Sequence, residues 1–353
     1  MQGFFIIMKK NNTYKYSFTL TIVAVILLFL SGQISSITAQ ETHRCLSQDT
    51  SSNSLLLTQQ IIYVDDDNTQ GPWNGTLQYP YQYIQDAIDT AQSGDCIYVF
   101  NGIYYENIYI DKQVTIMGEY KKTTIIDGSN EDKTVSISCD NVTLTNCTVQ
   151  NCGNFFQDAG IFIQADHCLI NNTILWNNTE GIYLWNANHI TINKNSFTSC
   201  KNGLNLKSSN DNMISSNIFS NNLQAICLEQ SSTNTIQKNI ITHNQDGISV
   251  MVNCNQNLIV KNHIASNTGV GILFIQLFDK QNQVQNNNFI ENTNHASFEL
   301  SFWIQWTENY WDDWFGLTNP SYDFLPKLIV GTFIANFPWL NLDWKPATKP
   351  YTI

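Results

Sequence analysis

The sequence predicts an all-β protein: a parallel β-helix, or solenoid, of ~22-residue coils with a helical cap before it and an aromatic-rich cap after it. Three observations carry that expectation. First, an apolar mark opening on a small residue recurs as Gly160-Ile-Phe-Ile, Gly181-Ile-Tyr-Leu, Gly203-Leu-Asn-Leu, Ala225-Ile-Cys-Leu, Gly247-Ile-Ser-Val and Gly271-Ile-Leu-Phe, at intervals of 21, 22, 22, 22 and 24 residues. Second, each apolar segment alternates with period two, and none has the ten or more residues at 3.6 periodicity that a helical repeat needs. Third, asparagines keep register with the apolar positions.

The coils come first, across residues 160–292. A second apolar mark follows each opening at Ile170, Ile192, Ile214, Ile236, Ile259 and Val284. Three asparagine columns track it: Asn212, Asn234, Asn257 and Asn282 two residues before it; Asn172, Asn195, Asn217, Asn239, Asn262 and Asn287 just after; and Asn177, Asn222, Asn244, Asn267 and Asn292, with Cys200 in the gap. Stacked amides can form a ladder, and asparagine tolerates the left-handed backbone of a tight corner.

These units resemble the repeats of the pectin-lyase-like superfamily, and most closely its NosD-type, carbohydrate-binding and sugar hydrolysis group. Flanking stretches add to the likeness. Tyr63-Val-Asp-Asp-Asp67, Tyr83-Ile-Gln-Asp-Ala-Ile-Asp-Thr-Ala-Gln92 and Gly102-Ile-Tyr-Tyr-Glu-Asn107 are similar to the amino-terminal cap of those proteins. Asn309-Tyr-Trp-Asp-Asp-Trp314 and Asp343-Trp-Lys-Pro-Ala347 are similar to their closing segment. The resemblance implies a right-handed winding and a polysaccharide or glycan as partner. It also implies a divalent metal, copper or calcium, as the cofactor to consider. It does not settle activity, because the superfamily hosts many.

Along the chain, residues 1–39 read as a signal peptide: Lys9, Lys10 and Lys15 precede an apolar run over 19–30, and small or polar residues follow to Ala39. Twelve apolar residues are short for a span of about twenty, so no membrane span is expected after cleavage. An uncleaved anchor is the alternative. Residues 40–60 read as a tether, 61–300 as the helix with its cap, and 301–353 as the closing cap. Tyr83, Ile84, Ala87, Ile88 and Ala91 recur at helical spacing, which places one amphipathic helix over the open end of the first coil. The tryptophans at 303, 306, 311, 314, 339 and 344 read first as packing of the closing cap and second as a sugar platform.

Composition bounds the partners. A net charge of -12 argues against nucleic acid, and only 13% charged residues leaves a neutral polar surface suited to a secreted or cell-surface protein. Nine cysteines are an odd number with no Cys-x-x-Cys, so most read as buried thiols, with Cys147 and Cys152 near enough for a bridge.

Stacking register supplies the candidate site. The residues two and four after each small residue point outward. One outward column reads Phe162, Tyr183, Asn205, Cys227, Ser249, Leu273; the next reads Gln164, Trp185, Lys207, Glu229, Met251, Ile275. Phe162, Tyr183 and Trp185 are therefore expected as a carbohydrate platform, with Asn205, Lys207 and Glu229 continuing it. His167, His189 and Asp211 form a third column, on successive coils about 4.8 Å apart, that could hold a metal or pass a proton. Against these stands an ordinary solvated turn.

Catalysis has little to rest on. The superfamily's lyases and esterases use an arginine, and the one arginine here, Arg44, precedes the helix; polygalacturonases need an Asp-Asp pair on the coils, and 160–292 has none. His189, Asp211, Lys207 and Glu229 remain as weak catalytic candidates. Three readings stand: a non-catalytic glycan-binding protein, a lyase, epimerase or hydrolase with a non-standard site, and a NosD-like copper-handling accessory protein. A lack of arginine on the coils favours the first. The third lacks the Met- or Cys-rich cluster that soft copper favours.

Overall fold

A computed structural model describes residues 59–275, 281–301, 304–314, 326–333 and 337–353. The expected signal segment and nearly all of the tether lie outside the described residues. No described helix is long and apolar enough to cross a membrane.

The fold is a parallel β-helix. Each regular coil has one long strand and two strands of three residues, as in Glu180–Trp185, Thr191–Asn193 and Ser196–Thr198. Like strands of successive coils pair in parallel as three stacks; one is a ten-stranded sheet, and the other two are joined into a 22-stranded sheet by the closing hairpin. In the long-strand sheet Phe162 pairs with Tyr183, Tyr183 with Asn205, Asn205 with Cys227 and Cys227 with Ser249. The expected outward column is thus the observed one. Inward positions stack as well. Ile192, Ile214, Ile236, Ile259, Val284 and Trp306 are register partners, and all are buried. Phe197 and Phe219 stack at 4.3 Å, as do Phe289 and Trp311.

Glycine stands second in most of the long strands because it lies against the next coil. A Cβ at Gly181 would meet Gly203 O and the Phe197 ring, and one at Gly247 would meet Gly271 O.

The asparagines do something different from what their columns suggested. Those of the ladders are buried, and the left-handed residue is the one before them. Lys194, Ser216, Lys238, Lys261 and Asn286 have φ of 54 to 58° and precede Asn195, Asn217, Asn239, Asn262 and Asn287. From Asn217 through Asn239 and Asn262 to Asn287 each amide is fully used. Asn217 Nδ2 donates to Ile192 O at 2.9 Å and to Asn239 Oδ1 at 3.1 Å, while its Oδ1 accepts from Asn195 N and Nδ2. Two assignments move by one residue. Thr173, not Asn172, holds the ladder position below Asn195, and Asn178, not Asn177, is the buried amide in the column of Cys200.

Both ends are capped. The amino-terminal helix spans Ile84–Thr90 and buries Ile84, Ala87 and Ile88, while Tyr83 stands outside as the exposed N-cap residue. The Glu106 carboxylate accepts from Ile84 N and Gln85 N at 2.8 and 3.0 Å, supplying the cap that Tyr83 cannot. At the other end the repeat runs one coil further than 292. Asn294–Glu299, Gln305–Thr307 and Tyr310–Trp311 join the three stacks, with Trp306 and Trp311 buried in the core. An antiparallel hairpin, Lys327–Phe333 with Phe337–Asp343, then closes the helix, and Asp343 Oδ2 ends the ladder by accepting from Asn309 N at 3.0 Å. Trp344 is exposed and Trp303 lies outside the described residues. Among the cysteines, Cys96 is disulfide-bonded, whereas Cys147 and Cys152 are free thiols and form no bridge.

Candidate functional site

The outward side of the long-strand sheet gathers the carbohydrate candidates. Phe162, Tyr183 and Trp185 form a chain of edge-to-face contacts, each with ring centroids 5.8 Å apart. Tyr183 points outward but is only 4% exposed, because its neighbours cover it. Its face is therefore not an open platform, and its hydroxyl is pushed up to about 12 by burial, then by Glu180 and Cys227. Phe162 is half-buried beneath the Lys133 ammonium, 5.3 Å from the ring centroid. Trp185 keeps part of its ring in solvent. Lys207 and Glu229 pair with each other on adjacent coils, so neither is a free charge.

The group missed by sequence reasoning is Glu180, the first residue of the Tyr183 strand. Its Oε1 accepts from Asn202 Nδ2 at 2.7 Å, and its Oε2 is buried with no hydrogen-bond partner. The Asn205 amide lies beside the carboxyl and favours its charged form, but burial outweighs both amides and pushes the carboxyl up to about 7. Glu180 was overlooked because it precedes the glycine, where Asn202, Gln224 and Asp246 read as turn residues. The signal that could have found it is this column itself.

Beside Glu180 stands a loop. Between left-handed Asn151 and the strand Ala159–Ile163 lie seven residues, 152–158, where the next coil uses two, 178–179. The loop is tied down: Phe155 N donates to Asp158 Oδ2 at 2.7 Å, and Thr179 Oγ1 donates to Gly153 O at 2.8 Å. Its two phenylalanines stand out in solvent, Phe155 at 83% and Phe156 at 82% exposed.

The proposed metal column is real as a stack. The His167 and His189 rings lie 4.8 Å apart and 7° from parallel, and both residues, like Asp211, are exposed with φ of 57 to 59°. Parallel rings aim their nitrogen lone pairs alongside one another, so one ion in the plane of the first ring is out of the plane of the second. In this arrangement the column does not fit a shared metal. The weak catalytic candidates also divide: Lys207 and Glu229 pair on the strand, while His189 and Asp211 occupy a corner.

A different trio does converge. His295, Asp312 and Asp313 offer ligand atoms within 4.8 Å of one another. His295 Nε2 lies 2.6 Å from Asp312 Oδ1, and Lys327 Nζ lies 2.5 Å from Asp313 Oδ2. The ladder fixes Asn292 Nδ2 as a donor, to Ile264 O and to His295 Nδ1, so the ring proton sits on Nε2 and is given to Asp312. With Nε2 so occupied and an ammonium already present, the trio fits neither copper nor the oxygen-rich shell of calcium. It is a closing network for the last coil. Two soft donors meet on the outward side: Cys227 Sγ and Met251 Sδ, 3.7 Å apart.

A family profile described as "Periplasmic copper-binding protein (NosD)" matches residues 88–316. Among solved structures, the chain is similar to the mannuronan C-5 epimerase AlgE6 A-module of Azotobacter vinelandii, at 14% identity, covering 64% of this chain and 86% of that one with a TM-score of 0.42. It is similar to XylC in complex with xylose, at 10% identity, 71% of each chain and a TM-score of 0.49. It is also similar to DFA-IIIase of Arthrobacter chlorophenolicus A6, at 10% identity, 64% and 75% coverage and a TM-score of 0.42. Likeness at this level says nothing of activity. No curated protein sequence matches significantly.

Proposed function

The chain belongs to the NosD family, and from that premise we propose that it is an exported β-helix protein that binds carbohydrate on the outward side of its long-strand sheet without transforming it. The observation that carries the reading is the aromatic chain of Phe162, Tyr183 and Trp185, set on a sheet face with Asn202 and Asn205 beside it. Of the three rings Trp185 keeps area in solvent to meet a sugar ring, and the amides can meet its hydroxyls. Export is supported by the charge and apolar pattern of residues 1–39 and by the family's description as periplasmic. The binding-only role is supported by the absence of arginine after Arg44 and by the pairing of Lys207 with Glu229. The test is affinity electrophoresis against a polysaccharide panel. Trp185→Ala is expected to weaken binding several-fold with little change in melting temperature. Unchanged affinity, or a loss that tracks a lower melting temperature, removes the platform.

Copper handling is a second reading, favoured by the Cys227 and Met251 sulfurs alone. These two would hold a cuprous ion by sulfur ligation. Cys227 would have to release a thiol proton that burial and then Glu180 hold on up to about 11. Titration of Cu(I) against a chromophoric chelator, with wild type beside Met251→Leu, decides it: equal competition by the two ends this reading.

A further inference from the structure

We infer that one corner of the β-helix, the row of Lys194, Lys238 and Lys261, is a docking surface for a linear anionic polysaccharide lying along the helix axis. Phe162, Tyr183 and Trp185 take no part in it, so it goes beyond the carbohydrate face described above.

The row follows from the winding. Lys194, Ser216, Lys238 and Lys261 come directly after the strands that carry Ile192, Ile214, Ile236 and Ile259, and those strands pair in register. The four residues therefore stand one above another, about 4.8 Å per coil. Each N–H reaches the next coil in the same way, as in Lys194 N to Ser215 O and Lys238 N to Val260 O, both at 3.3 Å. All four are exposed. Lys121 adds an ammonium at the head of the row, where its Nζ donates at 2.8 Å to Oδ1 of Asn172, the corner residue one coil before Lys194. The cations thus span four coil steps, roughly 19 Å along the axis.

Three features of the row call for an anion. First, the ammonium groups lack acids. Among the described residues no carboxylate lies within salt-bridge reach of Lys121, Lys194, Lys238 or Lys261, whereas Lys133, Lys207 and Lys327 each have one. Second, the surfaces on both sides leave that charge in place. The stack before the row presents two outward residues per coil over nine coils, from Thr115 to Gln305 and from Met117 to Thr307, and none of the eighteen is ionisable. The stack after it presents Ile174, Ser196, Ile218, Ile240 and then His263, which burial holds below its ordinary range. Acids border this ground at a distance. Asp211 is across the full strand width, roughly 16 Å away and beyond a Debye length. Glu119 and Glu308 stand at the two ends, and they hold Asn101 and Asn286. Third, the turn does not need lysine. The same corner carries Asn146, Asn172 and Asn286 in other coils, and asparagine enters the left-handed region more easily. Three of the six lysines in residues 160–292 nevertheless stand here.

A line of ammonium groups on neutral ground matches a polymer that repeats its own anions along one axis. Lysine is a point charge and takes carboxylate or sulfate oxygens without a fixed fork geometry. An acidic polysaccharide offers that repeat, together with hydroxyls for the Thr, Ser, Asn and Gln side chains of the neighbouring face. The net charge of -12 opposes attraction at long range, so the contact is local and salt weakens it.

The test measures affinity of the purified protein for heparin and alginate, a sulfated and a carboxylated chain, beside dextran, duplex DNA and phosphatidylglycerol vesicles, at low and high salt. Wild type is compared with Lys194→Gln, Lys238→Gln/Lys261→Gln, Trp185→Ala and Lys201→Gln, the last removing an exposed lysine from elsewhere on the same coils. Glutamine already occupies left-handed corners at Gln230, Gln256 and Gln281, so the lysine variants are expected to keep the wild-type melting temperature. The expected result is salt-sensitive binding to at least one acidic polysaccharide, falling about five-fold or more in the double variant and about two-fold in Lys194→Gln. Lys201→Gln and Trp185→Ala are expected to bind as wild type does, and the two acidic chains show which anion is preferred. No binding to either chain overturns the inference, as does a loss in Lys201→Gln equal to that in Lys194→Gln. Binding to DNA or vesicles as tight as to the better polysaccharide overturns it too. A loss in Trp185→Ala with none in the double variant places the ligand on the aromatic face instead.

Discussion

Asn217 and Glu180 lie on adjacent coils, and both bury polar atoms, but one has every partner and the other does not. At Asn217 each amide atom is used twice, and the ladder repeats that pattern from coil to coil. At Glu180 one oxygen is satisfied and the other is not. The ladder is what an Asn-rich solenoid needs for its own stability. The carboxyl is what that stability does not explain.

The comparison can be broken most severely by placing a carboxyl where no partner is available. Ile192 is fully buried between Ile170 and Ile214. Ile192→Asp removes core volume and adds an unpaired acid, at a cost of several kcal/mol as an order of magnitude. The variant is expected to be unfolded by circular dichroism at neutral pH. A folded variant with the wild-type melting temperature would show that the core tolerates what the ladder is built to avoid.

Removing a saturated amide comes next. Asn217→Ala leaves Asn195 N and Ile192 O without their partners inside the coil stack, and it leaves a small void. The expected loss is about 2–4 kcal/mol, read from denaturant unfolding. A loss below about 1 kcal/mol would mean that neighbouring amides re-pair across the gap and that the ladder is not cooperative.

How much of this could be read beforehand follows the same division. The coils were legible because a fixed period constrains every inward residue at once, and Ile192, Ile214 and Ile236 stack as their spacing requires. The ladder was legible in outline and misplaced by one residue in a short unit, at Asn172 beside Thr173 and at Asn177 beside Asn178. The left-handed corners were not legible, because Lys, Ser, His and Glu occupy them and the fold overrides their preference. The last coil hid because His295 stands where glycine or alanine marks the others, with Gly271 directly before it in the stack. Of the candidate site, the outward columns were readable from alternation. The cover on Tyr183 and the missing partner of Glu180 depend on neighbours from other coils.

Glu180 can then be set against the ladder by pH. Its carboxyl is raised from an ordinary 4.5 to about 7, chiefly by burial. The folded state therefore holds the proton more tightly than the unfolded chain does. Its contribution is most favourable below about pH 4.5 and is lost as pH rises to about 7. Glu180→Gln removes this titration, so it is expected to be more stable than wild type at pH 8, by up to about 2–3 kcal/mol, with the gap closing towards pH 4.5. Melting curves of both proteins at pH 4.5, 6 and 8 give the difference. A pH-independent gap would mean that Glu180 is solvated.

The smallest effect concerns the corners that the ladder holds in place. Thr233 is a β-branched residue at φ 58°, a conformation such side chains rarely adopt. Its hydroxyl accepts from Asp211 N at 3.2 Å, but that N–H also reaches Ser232 O at 3.2 Å, so it keeps a partner when the hydroxyl is gone. Buried Asn234, the next residue, is held by Asn257 Oδ1 and Ser209 O and does not depend on the Thr233 side chain. Thr233→Asn replaces a strained residue by one that enters the left-handed region at lower cost. A gain of about 1 kcal/mol is expected, which for a chain of this length is a rise of about 2 °C in melting temperature. A fall instead would place the hydroxyl, and not the backbone, in control of that corner. The same corner column holds His167, His189 and Asp211, so its side chains would then need explaining one by one.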